Sequence, residues 1–331
     1  MVPAVVDGLL AKRLLFVTGK GGVGKSTVAA ALGLVAARRG LRTMIAEVAG
    51  QDRVARSLGG GSTGFEEIQI APGLFHISID PQHALEEYLR FQIPARPMAD
   101  LLSSSRMFQY FAAATPGMKE LLTMGKVWEL SQLQRRTRGA AAYDLTIVDA
   151  PATGHGIAIL RSPGTFADVA RVGPIAHQSR AVARTIADPT QTGVVAVAHA
   201  EEMAVTETLF LRDTLREDPK VPLAAVVVNA LLADRFSTRH ARSIGKALGT
   251  AGPPAARAAL RAALSGHTRA GGQREQVESL RKGLGEEPIA LPFVGPDRAP
   301  AGPSGRRQNG ERAMFERLAD ALEESALAAA A

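Results

Sequence analysis

A glycine-rich segment near the N-terminus constrains the fold more than any other feature of this chain. Residues 19–26 read Gly-Lys-Gly-Gly-Val-Gly-Lys-Ser, which fits the pattern GxxxxGK followed by Ser or Thr. An apolar run, Arg13–Thr18, precedes this segment, and a helix-forming stretch rich in Ala and Leu, Lys25–Arg39, follows it. A strand, a glycine turn and a helix in this order are typical of a phosphate-binding loop that opens a parallel sheet.

Further strand patterns extend this unit into an α/β fold. Short apolar runs that predict strands lie at Thr43–Val48, Leu74–Ile79, Leu145–Asp149, Gly193–Ala198, Leu223–Val228 and Pro288–Leu291. Strand patterns are absent from about residue 81 to residue 139, where a helical insertion is expected, and a further helical segment is predicted at about 232–286. The sequence therefore predicts a doubly wound, mostly parallel sheet of the P-loop type, with a helical subdomain inserted between strands.

We expect residues 1–331 to form a single P-loop domain rather than two domains. The stretch 295–310 is rich in Pro, Gly, Arg and Ser, which predicts a flexible linker, and a C-terminal helix is predicted over 311–328. A second glycine run, Gly59–Ser62, lacks the Gly-Lys pair and does not follow a strand, so it is interpreted as an ordinary loop.

Composition excludes several classes of site and partner. The chain has no cysteine, which excludes disulfides, iron–sulfur clusters and cysteine-based zinc or metalloid sites. No apolar run approaches the ~18 residues that a membrane span needs, and no basic leader is recognised, so a cytoplasmic protein without a transmembrane segment is expected. The net charge of +7 is interpreted as spread along the chain, without interleaved aromatic residues, so no nucleic acid partner is expected.

The phosphate loop predicts a site for ATP and Mg²⁺. The backbone N–H groups of Gly21, Gly22, Val23 and Gly24 are expected to surround phosphate oxygens, and Lys25 to neutralise the β- and γ-phosphates. Ser26 is expected to bind Mg²⁺. Asp149 ends a different buried strand and is expected to hold the same ion directly or through water, with a strand-end cap as the alternative.

Two neighbouring features add to this site. Lys20 is not required by the general pattern; it is interpreted either as a surface lysine or as a group that stabilises a nucleotide bound by a facing subunit, as an arginine finger does. The stretch Pro151–Gly156 predicts a polar loop beside the γ-phosphate, of a kind that orders on triphosphate binding.

Several blocks resemble one family of nucleotide-binding proteins. Residues 20–27, Lys-Gly-Gly-Val-Gly-Lys-Ser-Thr, are similar to the deviant Walker A loop of dimeric P-loop ATPases such as MinD, ParA, nitrogenase iron protein and the arsenical-pump type. Asp149–His155, Asp-Ala-Pro-Ala-Thr-Gly-His, resembles the D-T-A-P-T-G-H block of the arsenical-pump and tail-anchored-protein-targeting ATPases. Weaker resemblances lie at Thr115–Glu120, Glu201–Thr208 and Val228-Asn229. Over about Arg13 to Phe293, the chain is identified as a bacterial member of this ArsA-like family.

The resemblance implies a magnesium-dependent ATPase whose active form is a dimer, either a homodimer or a heterodimer with a paralogous ATPase. It implies catalytic roles for Lys20, Lys25 and Asp149. It places Asn229 on the adenine and adds further nucleotide-binding residues, namely Thr27, Pro292 and Phe293. In this family the nucleotide state opens and closes an apolar groove in the helical subdomain, which implies an apolar client peptide or a membrane protein as the partner.

The chain also departs from the family pattern. It lacks the metalloid-binding cysteines of the arsenite-pump subunit and the Cys-x-x-Cys zinc clasp of the eukaryotic targeting factors. The family places D-P-A-H after the second strand, but Glu47–Asp52 here reads Glu-Val-Ala-Gly-Gln-Asp, so Val48 or Ala49 occupies the place of the aspartate that positions water. Glu47 and Asp52 are candidate substitutes, although neither is in register.

Two alternative functions therefore remain open. The missing switch aspartate predicts slow turnover, so one alternative is a weakly or non-hydrolysing subunit of a heterodimeric ATPase. The other is a positioning ATPase of the MinD and ParA type. The predicted C-terminal helix argues against this second alternative, because its net acidic charge would be repelled by an anionic membrane.

Overall fold

The computed structural model describes residues 2–48, 52–93, 114–170, 172–250, 252–295 and 305–328, together with isolated residues between 95 and 110. Its strands are β1 (Leu14–Gly19), β2 (Thr43–Val48), β3 (Ile68–Ala71), β4 (Leu74–Ile79), β5 (Leu145–Asp149), β6 (Thr192–His199), β7 (Leu223–Leu231) and β8 (Ile289–Pro292). They form one sheet in the order β3-β4-β2-β5-β1-β6-β7-β8. Every neighbouring pair is parallel except β3 and β4, so the predicted doubly wound, mostly parallel sheet is confirmed.

Helices cover both faces of the sheet. They are α1 (Val2–Leu10), α2 (Lys25–Arg38), α3 (Arg53–Ser57), α4 (Pro81–Gln92), α5 (Met118–Ser131), α6 (Thr153–Val169), α7 (Pro174–Ala187), α8 (Glu202–Glu217), α9 (Thr238–Thr250), α10 (Pro254–Leu284) and α11 (Gly305–Ala328). Among the described residues, no helix combines the length and the apolar character that crossing a bilayer requires.

Two apolar cores lie on opposite faces of the sheet. On one face, α1, α2 and α11 pack against the strands, and α11 contributes Phe315, Leu318 and Leu322. On the other face, α5, α6, α7 and α8 form the second core. The strands are buried on both sides, which explains why they appear in the sequence as continuous apolar runs rather than alternating ones.

The sheet register brings the candidate site residues to one edge. Val17 of β1 and Glu47 of β2 both pair with Asp149, the last residue of β5. On the other side of β1, Gly19 pairs with Val197 of β6, and His199 of β6 pairs with Asn229 of β7. In open parallel sheets, ligands bind in the crevice outside the carboxyl ends of the strands, which is where these residues lie.

A buried charge cluster holds the start of the helical insertion to the sheet domain. It consists of Glu67, Glu87, Lys126, Glu129 and Arg135. Lys126 Nζ lies 2.8 Å from Glu87 Oε1 and 3.5 Å from Glu129 Oε2, while Arg135 pairs with Glu129 and Glu67 at 2.8 and 2.6 Å. The cluster therefore links α4 and α5 to the segment before β3 and to the turn after α5.

Some predicted boundaries are wrong. The C-terminal helix begins at Gly305 rather than at 311, since the Arg-Arg-Gln stretch that follows Gly305 favours a helix although it was included in the predicted linker. Residues 296–304 of that linker lie outside the described residues. The helical segment expected from 232 begins only at Thr238, because β7 continues to Leu231 and the Ser237 hydroxyl accepts a hydrogen bond from the His240 N–H at this N-terminus.

Other elements were missed. The predicted helical insertion contains α4 and α5, but residues 132–144 at its end form turns and irregular structure. The expected polar loop Pro151–Gly156 is shorter than predicted, because α6 begins at Thr153. The sequence interpretation also overlooked α1, α7 and the short edge strand β3, whose four residues do not alternate in burial.

Candidate functional site

The phosphate loop joins β1 to α2, and two of its glycines are required by close packing. A Cβ atom on Gly19 would lie 2.1 Å from the Val197 carbonyl oxygen, and the residue has φ of +147°. Gly24 has φ of +91°, and a Cβ atom there would lie 2.3 Å from Asn229 Nδ2. Side chains at these positions would push the loop away from the ends of β6 and β7.

Lys25 lies at the start of α2 and bends back over the loop. Its Nζ donates a hydrogen bond to the Lys20 carbonyl oxygen at 3.1 Å. Burial lowers the pKa of Lys25, while the Asp149 charge acts in the opposite direction and the charge of Arg53 lowers the pKa further. The first turn of α2 contains no acidic residue. The helix N-terminus and the Lys25 ammonium group therefore combine into a site suited to an anion.

Ser26, the second residue of α2, contacts Asp149 at the end of β5. Ser26 Oγ donates a hydrogen bond to Asp149 Oδ2 at 2.5 Å. Burial, aided by the charge of Glu47, raises the pKa of Asp149 to about 6, although the hydrogen bond from Ser26 lowers it. A hydroxyl and a buried carboxylate are hard oxygen ligands, and a cation between them would compensate the cost of burying the carboxylate charge. The two residues thus fit Mg²⁺.

Lys20 points away from the phosphate loop. Its Nζ lies 3.4 Å from Glu207 Oε1 and 2.6 Å from Met203 Sδ, so the side chain rests on α8. About a third of the Lys20 side chain is exposed. The outward direction agrees with both interpretations made from the sequence, and its role in a facing site stays a prediction.

The other predicted nucleotide residues fall into two groups. Asn229 is buried, and its Nδ2 donates a hydrogen bond to the Val23 carbonyl oxygen at 2.9 Å, which ties the end of β7 to the phosphate loop. Pro292 and Phe293 instead line a cavity of about 690 Å³ between the ends of β7 and β8 and helix α10. Phe293 is 58% exposed, so its ring is free to meet a ligand.

Among the described residues, hydrogen bonds hold both carboxylates near the end of β2. Val48 ends β2 and its side chain packs against the second apolar core, while Ala49 lies outside the described residues. Glu47 is buried, and its Oε2 accepts hydrogen bonds from His76 Nε2 at 2.7 Å and from the Val54 N–H at 3.0 Å. The Glu47 carboxylate therefore binds β4 and α3 rather than the phosphate loop.

Asp52 is held in the same way. Its carboxylate accepts hydrogen bonds from Ser62 Oγ at 2.5 Å and from Thr63 Oγ1 at 2.9 Å. Burial raises the pKa of Asp52, but these hydrogen bonds outweigh it and the net shift is downward. The carboxylates of both candidate substitutes are thus committed to contacts within the tertiary structure.

Sequence reasoning missed two residues near this site. His76 is fully buried, and its two ring nitrogens connect Glu47 to Asp52. Its Nε2 contacts Glu47 directly, and its Nδ1 lies 2.8 Å from Oγ1 of Thr63, which in turn donates to Asp52. Arg53, the first residue of α3, is exposed and near enough for its charge to act on Lys25 and Asp149. The position of His76 in the middle of an apolar strand was a sequence signal that could have identified it. No sequence signal pointed to Arg53.

Comparison with known proteins gives consistent matches. The family model described as anion-transporting ATPase matches residues 12–172. ATPase BagA of Mycobacterium tuberculosis is 30% identical over 222 residues, which cover 66% of this chain and 64% of that protein. A putative ATPase of Mycobacterium bovis matches to the same extent. An arsenical pump-driving ATPase of Escherichia coli is 28% identical over 212 residues, which cover 58% of this chain and 35% of the pump protein.

The family match over residues 12–172 includes the phosphate loop and the strand that carries Asp149. The chain spans less than two thirds of the length of the mycobacterial ATPases and about a third of the length of the arsenical pump protein. Its sheet order, its glycine-rich loop and its Ser26–Asp149 pair have the arrangement of a P-loop nucleotide site. The match over residues 12–172 and these relatives together support an ArsA-like ATPase family for this chain.

Proposed function

We propose that this chain binds and hydrolyses Mg²⁺-ATP. The observation that carries the proposal is the contact between Ser26 and Asp149 beside the Lys25 ammonium group, within a loop of close-packed glycines. The loop N–H groups and Lys25 would hold the β- and γ-phosphates. Ser26 and Asp149 would hold Mg²⁺, which supplies positive charge against the phosphate oxygens.

Nucleotide binding by a Lys25→Ala variant tests this proposal. The substitution removes the lysine charge that bends over the loop, so calorimetry should show Mg²⁺-ATP affinity lowered by about a hundredfold or more. A Lys20→Ala variant is the matched control: its ammonium group faces α8, so monomeric nucleotide binding should change little. Wild-type affinity in Lys25→Ala would contradict the assignment of the loop.

Turnover by the isolated chain is proposed to be slow. The Val48 side chain has no polar atom to orient an attacking water, and hydrogen bonds with His76, Ser62 and Thr63 hold the carboxylates of Glu47 and Asp52 in place. Positioning and general-base assistance commonly contribute about 10²–10⁴-fold. These contacts support the alternative function as a weakly hydrolysing subunit of a heterodimer. Family-typical turnover that disappears in Glu47→Gln or Asp52→Asn would contradict it.

An apolar groove supports a role in handling an apolar client. A cavity of about 210 Å³ lies between α4, α5 and α7, and its apolar lining residues include Leu85, Leu89, Phe91, Met118, Leu121, Leu122, Ile175 and Val182. Phe91 and Ile175 are each 39% exposed at its rim. An amphipathic helix of a client could place an apolar face in such a groove.

Binding of a labelled apolar helical peptide tests the groove. Fluorescence anisotropy should detect binding to the wild-type chain and its loss in Leu122→Asp, which places a charge in the lining. The control Leu133→Asp changes a leucine that is 72% exposed and lies outside the groove. Equal peptide binding by wild type and Leu122→Asp would exclude this groove as the client site.

Assembly with a second ATPase subunit is proposed at the face of α8 beside Lys20. Met203 and Phe210 are 64% and 66% exposed, and their spacing of seven residues places them on one side of α8, next to Glu207. Large exposed apolar side chains near a charged group are typical of protein interfaces. Another ATPase subunit on this face would bring its own nucleotide site close to Lys20.

A further inference from the structure

One helical hairpin carries the whole positive charge excess of the chain. From Arg235 to Arg274 the sequence contains eight Lys and Arg residues and no Asp or Glu. The complete chain has a net charge of +7, so the remaining residues together carry a net charge of −1. The charge is therefore focused rather than spread, which corrects the interpretation made from composition.

The structure places this segment on a projecting surface. It forms most of the hairpin of α9 and α10, and α9 has no buried residue. In α10 the first buried residue is Ala270, so the described part of the hairpin from Thr238 to Arg269 contributes no residue to the core. Further along α10, Gln273 anchors the hairpin to the end of β7, through hydrogen bonds with the Leu232 N–H and the Ala230 carbonyl oxygen.

Helix α9 separates its basic and apolar sides. Arg239, Arg242 and Lys246 follow the i, i+3, i+7 spacing of one helix face, and all three are exposed. The half-buried residues of α9 follow the same spacing about 200° away, namely Ala241, Ile244 and Leu248. Because α9 packs against α10, the basic face is directed toward solvent.

Most of these cations lack an acidic partner. Arg274 pairs with Asp234 at 2.7 Å. Six other basic residues make no ion pair with an acid within the described part of the chain: Arg235, Arg239, Arg242, Lys246, Arg261 and Arg269. An unpaired array of this size attracts a polyanion and is screened little at close approach.

We infer that the α9–α10 hairpin docks on the surface of an anionic lipid bilayer. Lipid headgroups present many phosphates in a plane, and clusters of four to eight basic residues on helices bind such surfaces. The exposed surface between the arginines is apolar but small, consisting of Ala247, Ala255, Ala256, Ala258, Ala259 and Ala262. This surface can enter the boundary between headgroups and acyl chains.

Double-stranded DNA fits the hairpin less well. It offers phosphates but no apolar phase for the alanine surface, and Phe236, the one aromatic residue of the segment, is half-buried rather than available for stacking. The basic face of α9 that the test changes lies outside both the phosphate loop and the cavity lined by Pro292 and Phe293.

Vesicle co-sedimentation tests the inference with the full chain. Vesicles of equal parts phosphatidylglycerol and phosphatidylcholine should bind the protein at low salt and release it at high salt, and vesicles of phosphatidylcholine alone should not bind it. Neutralising the α9 face with Arg239→Gln, Arg242→Gln and Lys246→Gln should weaken binding by about a hundredfold. The matched control changes three exposed basic residues elsewhere: Arg216→Gln, Lys220→Gln and Lys282→Gln.

The outcomes separate the possibilities. The inference is supported if the control variant still binds anionic vesicles and the hairpin variant does not. Both variants should also keep the circular dichroism spectrum and the nucleotide binding of the wild type. It is overturned if the wild-type chain fails to bind anionic vesicles, if the hairpin and control variants lose binding equally, or if DNA binds more tightly than vesicles at equal phosphate concentration. If the chain binds nucleotide normally but does not bind vesicles, the docking role of the hairpin is rejected and the proposed ATPase function is unaffected.

Discussion

Replacing Arg135 by methionine should destabilise the protein by about 3–5 kcal/mol, the usual cost of breaking a buried ion pair by removing one partner. The Arg135 side chain is 1% exposed. It donates to both oxygens of Glu129, each at 2.8 Å, and to both oxygens of Glu67, at 2.6 and 3.2 Å. In the variant, Glu129 would stay buried with Lys126 at 3.5 Å as its nearest cation, which places the loss toward the lower end of this range.

Denaturant unfolding can measure this loss through the single tryptophan. Trp128 lies on α5 next to the buried charge cluster, and its Nε1 donates to Thr185 Oγ1 at 3.1 Å, so its fluorescence reports on this region. The matched control is Arg281→Met, which breaks an equally close pair with Glu278 whose side chains are nearly half exposed. Solvent screens exposed ion pairs strongly, so the stability of the control should remain near that of the wild type.

A double variant separates lost pairing from a simple packing defect. Arg135→Met with Glu129→Met removes the carboxylate that would be left buried, so it should be more stable than Arg135→Met alone. The reasoning is refuted if Arg135→Met costs no more than Arg281→Met at an unchanged dependence on denaturant.

The pH dependence of stability provides a further readout of the same cluster. Burial raises the pKa of Glu129, but hydrogen bonds from Arg135 and the charge of Lys126 outweigh it, so the pKa lies below its ordinary value of 4.5. A carboxylate with a lowered pKa stabilises the fold above its unfolded pKa and loses that contribution as the pH falls through the folded pKa. The stability difference between wild type and Arg135→Met should therefore be largest near neutral pH and shrink below about pH 4.5.

Three further predictions concern the phosphate loop. Gly24→Ala should weaken ATP binding in calorimetry by at least tenfold, because its Cβ would displace Asn229 and Ala disfavours φ of +91°; unchanged affinity would show that the loop adapts. Val48→Asp should raise the ATPase rate in a phosphate-release assay by about tenfold or more by giving water an acceptor, and an unaltered rate would place the water elsewhere. With Mg²⁺ and a non-hydrolysable ATP analogue, light scattering should detect assembly of the wild-type chain, alone or with a co-expressed paralogue, and less in Lys20→Ala; a chain that remains monomeric throughout would exclude the dimer model.

The sequence predicts the sheet well because its strands are buried on both faces. Runs such as Leu145–Asp149 are continuously apolar and short, which distinguishes them from amphipathic helices. The glycine turn marks both the end of β1 and the start of α2. Where elements depend on neighbours, prediction fails. Strand β3 pairs only with β4 at the edge of the sheet. Helix α6 contains Pro163 and several glycines, residue types that disfavour a helix when the segment is considered alone.

The candidate site follows the same division. The phosphate-loop residues are local in sequence, and the geometry brings Ser26 to Asp149 as strand order requires. The hydrogen-bond partner of the Glu47 carboxylate could not be predicted from the sequence. That partner is His76, which lies 29 residues further along the chain on the adjacent strand. The focused charge of the α9–α10 hairpin was present in the sequence, but its importance depends on the absence of buried residues there.

The packing of α11 against α2 has a consequence for protein synthesis. Helix α11 covers α2 with Phe315, Leu318 and Leu322, and Arg38 at the end of α2 pairs with Asp320 at 2.7 Å. The ribosome adds Gly305 about 270 residues after Arg38, which at about 5–20 residues per second takes roughly 13–54 s. During that interval, the apolar face of α2 that α11 buries in the folded protein remains exposed on every nascent chain. Neighbouring chains on one polysome therefore expose the same aggregation-prone surface at the same time.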